Sequence, residues 1–122
     1  MVEFYQKRFN LCAILGLLGE VDIEKFKHSL NLMNHRGVDF QNILKTPFGI
    51  FGFNRLSIEN ISINLQPLFK NNILVMFNGE IYNYKDLIKK YSLNVTTEIE
   101  VLYELWLRFK EDFVKLLDGM FA

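Results

Sequence analysis

Apolar and polar positions fall into blocks along the chain that predict both strands and helices. The run Cys12–Leu18 is almost wholly apolar and is bounded by Gly19 and Glu20, which predicts a short buried strand. Between Asp22 and Asn34 the apolar residues recur at helical spacing, which predicts an amphipathic helix with Asp22 as its N-cap.

The middle of the chain has the composition of strands and turns. Phe48–Phe53 contains two glycines among apolar residues, which predicts a strand with a close backbone approach or a bulge. Ser57–Leu65 alternates loosely, and Ile73–Phe77 is a compact apolar run typical of a strand. The dipeptide Asn78-Gly79 that follows is a strong hairpin or tight-turn signal.

The last third of the chain is predicted to be mostly helical. Apolar spacing predicts a short helix around Tyr84–Tyr91, a longer one over Glu98–Phe109 and a further turn or two over Asp112–Leu117. Met120–Ala122 then begins an apolar run that the sequence does not complete, so we expect a fragment of a longer domain. The mixture of elements, with turns that favour antiparallel hairpins, predicts an α+β fold.

Composition narrows the classes of function. The 122 residues suit one domain or part of one, and fourteen basic residues balance fourteen acidic ones. This balance gives no electrostatic footprint for nucleic acid or for an anionic membrane. No apolar run approaches the roughly 20 residues that a transmembrane helix needs, and the first eleven residues are too short and polar for a signal peptide. We therefore expect a cytoplasmic protein.

The chemistry of the chain centres on its single cysteine, Cys12. One cysteine cannot form an internal disulfide, and with two separated histidines a zinc site is not expected. By itself, Cys12 in an apolar strand is typical of an inert buried residue. The alternative is a nucleophile, and the sequence blocks elsewhere in the chain bear on that choice.

Six blocks occur in a characteristic order: HRGVD at 35–39, NRLSI at 54–58, QPL at 66–68, FNGEIYNYKDL at 77–87, TTEIEVL at 96–102 and DGMFA at 118–122. Together they resemble the glutaminase domain of glutamine-hydrolysing asparagine synthetases, a class II glutamine amidotransferase of the N-terminal-nucleophile fold. The resemblance covers residues 12–122 and implies a four-layer αββα sandwich, incomplete at its C-terminal end. Residues 1–11 are then an N-terminal extension.

The resemblance assigns the catalytic roles. Cys12 corresponds to the nucleophile, and its own α-amino group to the base that accepts the thiol proton. Asn78 and Gly79 correspond to the oxyanion hole, although Asn-Gly alone is typical of an ordinary hairpin turn. A histidine base is not expected: His28 lies on a polar helix face, and His35 belongs to a structural turn of the family.

The resemblance also assigns substrate binding to six residues: Arg55, Leu56, Ile58, Glu59, Glu80 and Glu98. Arg55 corresponds to the residue that holds the glutamine α-carboxylate, whereas alone it would suit a surface or interdomain salt bridge. Glu98 stands where the family usually has an aspartate for the α-ammonium. The added methylene is expected to weaken or reposition that contact.

The base requires Cys12 to be the first residue of the mature chain, because a peptide-bonded nitrogen cannot accept a proton. Three explanations for residues 1–11 follow: removal by processing, a misassigned start at Leu11, or loss of glutaminase activity. The misassigned start is preferred, because an internal Leu codon can also initiate translation.

Three hypotheses for function remain. The first is the glutaminase portion of an asparagine synthetase, which supplies ammonia to a synthetase domain in the same longer chain or in a partner. The resemblance implies ATP and Mg²⁺ for that domain and no cofactor in this segment, which has no Gly-rich phosphate loop. The second is a related amidotransferase for another carboxylate, such as a sugar acid, and the third is a non-catalytic remnant. A homodimer stays open under each hypothesis.

Overall fold

The computed structural model describes residues 12–37, 39–55 and 66–122. Within them the strands are β1 (Ala13–Leu18), β2 (Phe40–Thr46), β3 (Gly49–Arg55), β4 (Leu68–Lys70), β5 (Ile73–Val75), β6 (Gly79–Ile81) and β7 (Gly119–Phe121). The α-helices are α1 (Ile23–Asn31), α2 (Tyr84–Lys90) and α3 (Glu98–Phe109), with 3₁₀ segments at Asn34–Arg36 and Lys110–Leu116. This mixture confirms the α+β class. The predicted alternating stretch Ser57–Leu65 lies outside the described residues.

Strands β1, β3 and β2 form one antiparallel sheet in that order. Ala13 pairs with Asn54, so the start of β1 lies beside the end of β3. Cys12 immediately precedes β1, and Arg55 is the last residue of β3. The antiparallel register therefore brings Cys12 and Arg55 to the same end of this sheet.

Helix α1 covers one face of the β1–β3–β2 sheet. Asp22 caps the helix as predicted, its carboxylate accepting hydrogen bonds of 2.9 and 3.3 Å from two backbone N–H groups. Phe26 and Leu30 are fully buried against the sheet. A Cβ on Gly52 would lie 2.6 Å from Leu30 Cδ2, so glycine in β3 allows the helix to approach closely. The helix ends at Asn31, earlier than predicted.

Strands β4 and β5 form a separate antiparallel hairpin. Its turn residues, Asn71 and Asn72, both have positive φ, at 51° and 58°. Asparagine tolerates this conformation better than most residues, which explains the position of the turn. The strand predicted over Ile73–Phe77 is shorter in the structure and ends at Val75.

The Asn78-Gly79 dipeptide does not form a hairpin turn. Gly79 begins β6, which pairs with β7 at the end of the chain, and Asn78 and Ala122 exchange two backbone hydrogen bonds of 2.9 Å. Gly79 has a φ of 136°, and a Cβ there would collide with the Met120 carbonyl oxygen. Interpretation of the dipeptide as an ordinary turn is therefore wrong, and glycine is required at position 79.

Helices α2 and α3 pack together beside β5 and β6. Helix α3 has the predicted bounds, and its start is fixed by a capping box between Thr97 and Glu100. Its apolar face closes a core whose buried members are Phe77, Ile81, Leu87, Leu93, Ile99, Val101, Leu102 and Leu105. In the described part of the chain, no helix has the length and apolar character needed to cross a membrane.

Candidate active site

A cavity of about 300 Å³ lies where the end of the β1–β3–β2 sheet meets β6 and the start of α3. Its wall is formed by Cys12, Phe53, Arg55, Gln66, Phe77, Gly79, Glu80, Ile81, Tyr82, Tyr84 and Glu98. The structure thus brings five of the predicted site residues together: Cys12, Arg55, Gly79, Glu80 and Glu98.

Among the predicted site residues that the structure describes, one is not on that wall. Asn78 is half-buried and immediately precedes Gly79, but it is not among the wall residues. Leu56, Ile58 and Glu59 lie outside the described residues. Their predicted contacts with substrate stay predictions.

The HRGVD block supports the end of the sheet that carries Cys12 and Arg55. The Arg36 Nε–H donates a hydrogen bond of 3.2 Å to the carbonyl oxygen of half-buried Cys12. Gly37 is buried against β3, where a Cβ would lie 2.6 Å from the Asn54 carbonyl carbon and 2.7 Å from the Arg55 nitrogen. This short block therefore contacts the backbone at Cys12, before β1, and the backbone at the end of β3.

Strand β6 directs backbone N–H groups toward the cavity. The Asn78 carbonyl oxygen accepts a hydrogen bond from the Ala122 N–H, so it points toward β7. In a trans peptide the C=O and the following N–H point in opposite directions, so the N–H of Gly79 points away from β7. Antiparallel pairing alternates along the strand, which gives the Ile81 N–H the same direction. The Ile81 N–H donates 2.8 Å to Glu98 Oε1 on the cavity wall. The N–H of Gly79 is therefore directed to the edge of β6 that faces the cavity.

Glu98 is held at the first position of α3, directly after the N-cap Thr97. Its carboxylate reaches the Ile81 N–H and so ties the start of the helix to β6. Burial is the largest influence on the pKa of the Glu98 carboxyl and raises it, and the negative charge of Glu80 raises it further. The hydrogen bond from the Ile81 N–H and the positive charge of Arg55 lower this pKa. The result is a pKa above the ordinary glutamate value.

The two histidines lie away from the cavity. His28 and His35 are both exposed, and neither belongs to the wall. The His35 ring nitrogen Nδ1 lies 3.2 Å from the Leu32 carbonyl oxygen, a contact within its own turn. This placement favours the prediction that neither histidine acts as the base.

Sequence reasoning missed Gln66, whose side chain is 2 % exposed. The Gln66 Oε1 accepts a hydrogen bond of 2.7 Å from the Phe77 N–H, and its backbone oxygen accepts one of 3.0 Å from Asn42 Nδ2. Tyr82 and Tyr84 also line the cavity without having been predicted to do so. Gln66 belongs to the QPL block of the family resemblance, but that block contains no residue type that by itself indicates a catalytic or binding role.

Comparison with known proteins gives concordant matches. Residues 11–122 match the model of the glutamine amidotransferase domain family. The chain is 33% identical to the glutamine-hydrolysing asparagine synthetase 2 of Oryza sativa subsp. japonica, and the match covers 92% of this chain and 21% of that protein. Identity is 34% to asparagine synthetase 3 of Arabidopsis thaliana, with the same coverage, and 33% to asparagine synthetase 1 of Bacillus subtilis, over 92% and 20%. The chain spans about a fifth of the length of these relatives.

Proposed function

The chain belongs to the glutamine amidotransferase domain family, and on that premise we propose that it hydrolyses glutamine to glutamate and ammonia through a thioester on Cys12. One observation carries the proposal: Cys12, Arg55, Glu80 and Glu98 all line a single cavity. A thiol beside one cation and two anions suits a zwitterionic amino acid with a reactive side chain.

Substrate binding follows from the placement of charge. In this proposal Arg55 binds the glutamine α-carboxylate through its planar guanidinium, which can donate two parallel hydrogen bonds. Glu80 and Glu98 bind the α-ammonium, and the backbone at Leu56, Ile58 and Glu59 completes the predicted binding set. The two charged ends of glutamine are thereby fixed, and its side-chain amide is directed to the thiol.

The reaction begins when the Cys12 sulfur attacks the amide carbon while the α-amino group of the same residue takes the thiol proton. An α-amino group has a pKa near 8, close to working pH. The oxyanion receives hydrogen bonds from the Asn78 side-chain amide and the Gly79 N–H, and removal of one such donor typically costs about 10²–10³ in rate. The α-ammonium returns its proton to the nitrogen that leaves as ammonia.

The second half of the reaction releases glutamate. Ammonia departs and leaves a thioester between Cys12 and the glutamyl group. The α-amino group then takes a proton from water, which attacks the thioester carbon, and the sulfur leaves as the thiol. Both halves require an unacylated nitrogen on Cys12, so the proposal applies to a mature chain that begins at that residue.

The fate of the ammonia is proposed from the relatives, which are named as glutamine-hydrolysing asparagine synthetases. We propose that a synthetase domain, in the same longer chain or in a partner, uses ATP and Mg²⁺ to activate aspartate, which the ammonia then amidates. In the full domain, the described sheets and helices would belong to a four-layer αββα sandwich. The alternative of another carboxylate acceptor depends on the synthetase domain, where the acceptor is chosen.

Labelling of the nucleophile tests the proposal. The natural protein is prepared with a cleavable leader so that Cys12 becomes its first residue, and it is treated with the diazoketone analogue of glutamine. We expect ammonia release from glutamine and one label that maps to Cys12 by mass spectrometry. Both should vanish in Cys12→Ala.

A second preparation keeps Leu11 joined to Cys12 and serves as the matched control. We expect it to release no ammonia from glutamine, because the Cys12 nitrogen is then an amide. Hydrolysis at an equal rate by this preparation would overturn the α-amino base. The absence of any label in the processed protein would overturn the glutaminase assignment.

A further inference from the structure

The cavity is assembled from two parts of the fold that share no strand pairing. Cys12, Phe53 and Arg55 come from the β1–β3–β2 sheet, whereas Gly79 comes from the separate β6–β7 pair. In the proposed reaction the thiol lies on the first part and the oxyanion donor on the second. The distance between the parts must therefore be held by contacts other than a shared sheet.

Gln66 makes hydrogen bonds to both parts. Its backbone oxygen accepts a hydrogen bond of 3.0 Å from the side chain of Asn42. Asn42 lies on β2, opposite Phe53 of the cavity wall. Its side-chain Oε1 accepts 2.7 Å from the N–H of Phe77, the residue before Asn78. A single residue thus joins the sheet that carries the thiol to the segment that carries the oxyanion donor.

Burial makes the side-chain bond costly to lose. Gln66 is 2 % and Phe77 5 % exposed, so water does not readily replace a missing acceptor for the Phe77 N–H. The Phe77 ring packs in the core beside Ile81, Ile99 and Leu102. Because the ring is fixed there, the backbone of Phe77 sets where the next two residues, Asn78 and Gly79, enter β6.

We propose that Gln66 is a positioning residue of the glutaminase site, an inference that rests on the proposed function. Its amide oxygen sets the separation between the Cys12 sulfur and the N–H of Gly79. Gln66 does not need to touch the reacting atoms for this role. A displacement of about 1 Å between reacting groups is enough to lower a rate about 10²-fold.

Gln66→Met tests this role because methionine has similar length and no strong acceptor. In the natural protein with Cys12 as its first residue, we expect kcat for ammonia release to fall about 100-fold. KM for glutamine should rise as well, because Arg55 lies on one part and Glu80 and Glu98 lie on the other. Gln66→Glu keeps an oxygen that can accept from the Phe77 N–H, so it should retain most of the wild-type kcat.

Thr46→Val is the matched control. Thr46 is a buried side chain whose hydroxyl bonds to the backbone at the β2–β3 turn, away from the cavity. Like Gln66→Met, the Thr46→Val substitution removes hydrogen bonding from a buried side chain to the backbone, but it should leave kcat unchanged. The positioning role is overturned if Gln66→Met keeps the wild-type kcat, or if Thr46→Val lowers kcat as much.

Amide hydrogen exchange separates this inference from the proposed function. Exchange at Phe77, Asn78 and Gly79 should accelerate in Gln66→Met and stay at the wild-type rate in Gln66→Glu, with or without glutaminase activity. If exchange accelerates in this way but the wild-type protein releases no ammonia, the proposed function fails and the link between the two parts stands. If exchange at these residues is unchanged in Gln66→Met, the link itself fails.

Discussion

At the scale of single residues, Glu98 combines two demands that oppose each other. Its carboxylate is partly buried and accepts from the Ile81 N–H, and in the proposed function its charge also holds an ammonium group. Burial raises the pKa of Glu98, which means that the folded protein favours the protonated form. This stabilisation of the folded protein is complete at pH values below the pKa of Glu98 in the unfolded chain. It is lost as the pH rises through the higher pKa that Glu98 has in the folded protein.

Glu98→Gln should therefore separate stability from binding. Glutamine keeps an oxygen for the Ile81 N–H and carries no charge, so the melting temperature of the variant relative to wild type should rise as pH increases. Its KM for glutamine should increase about tenfold or more, because a charged hydrogen bond is lost. Melting curves at acid and neutral pH, with steady-state kinetics, check both. A pH-independent difference in melting temperature would contradict the assigned cause.

Residue identities on the wall were predictable only where a sequence block carried them. The family resemblance named Cys12, Arg55, Gly79, Glu80 and Glu98, and the structure places all five on one cavity. The same resemblance did not reveal that Glu98 bonds to Ile81. That contact joins residues far apart in sequence and depends on where α3 begins relative to β6.

At the scale of elements, the start of α3 is the feature that sequence chemistry determines best. Thr97 accepts from the Glu100 N–H, and Glu100 accepts from the N–H groups of Thr96 and Thr97. Burial acts to raise the pKa of the Glu100 carboxyl, but the hydrogen bond from the Thr97 hydroxyl, together with those from the N–H groups of Thr96 and Thr97, holds it below the ordinary value. Because the pKa of Glu100 is lower in the folded protein, the ionised carboxylate stabilises the fold at pH values above its pKa in the unfolded chain. This stabilisation is lost as the pH falls through the pKa of Glu100 in the folded protein.

Thr97→Ala should lower the free energy of unfolding by about 1 kcal/mol at neutral pH, the usual cost of an N-cap. The loss should shrink in acid, where Glu100 is protonated and contributes less to the capping box. Thr97→Ser keeps the hydroxyl and should stay close to wild type. Urea unfolding at two pH values measures this, and an equal loss at both would show that Glu100 does not take part.

Other elements were less predictable because distant contacts decide them. The strand β2, Phe40–Thr46, was not predicted: its sequence mixes polar and apolar residues without clear alternation, and it forms by pairing with β3. The Asn78-Gly79 signal favoured a local turn, but pairing with β7 places the glycine in a strand. Helix α3 needed no such information, since its cap and its apolar face are both local.

At the scale of the whole molecule, the cavity depends on how the separate sheets are held together. The β1–β3–β2 sheet, with α1 on one face, has its own buried cluster around Phe26, Leu30 and Ile50. The clusters around α2 and α3 are distinct from it. Sequence patterns predict β1, β3 and the helices of these clusters, but they do not predict the cavity between them, because no periodicity encodes the distance across it.

A ligand that contacts both parts should therefore stabilise them together. In the proposed function the product glutamate contacts Arg55 on one part and Glu80 and Glu98 on the other, so binding should raise the melting temperature of the natural protein. At a hundredfold excess over Kd the linkage amounts to about 2.7 kcal/mol. Hydrogen exchange should slow in β3 and in β6 at the same time.

Two comparisons test whether the charged residues of the cavity wall cause that stabilisation. Glutarate, which lacks the α-ammonium, should stabilise less than glutamate because Glu80 and Glu98 lose their partner. Arg55→Gln should remove most of the glutamate effect, since no cation then holds the α-carboxylate. If glutarate protects as well as glutamate, the carboxylates do not bind the ammonium. If protection appears in β3 alone, the two parts do not close on one ligand.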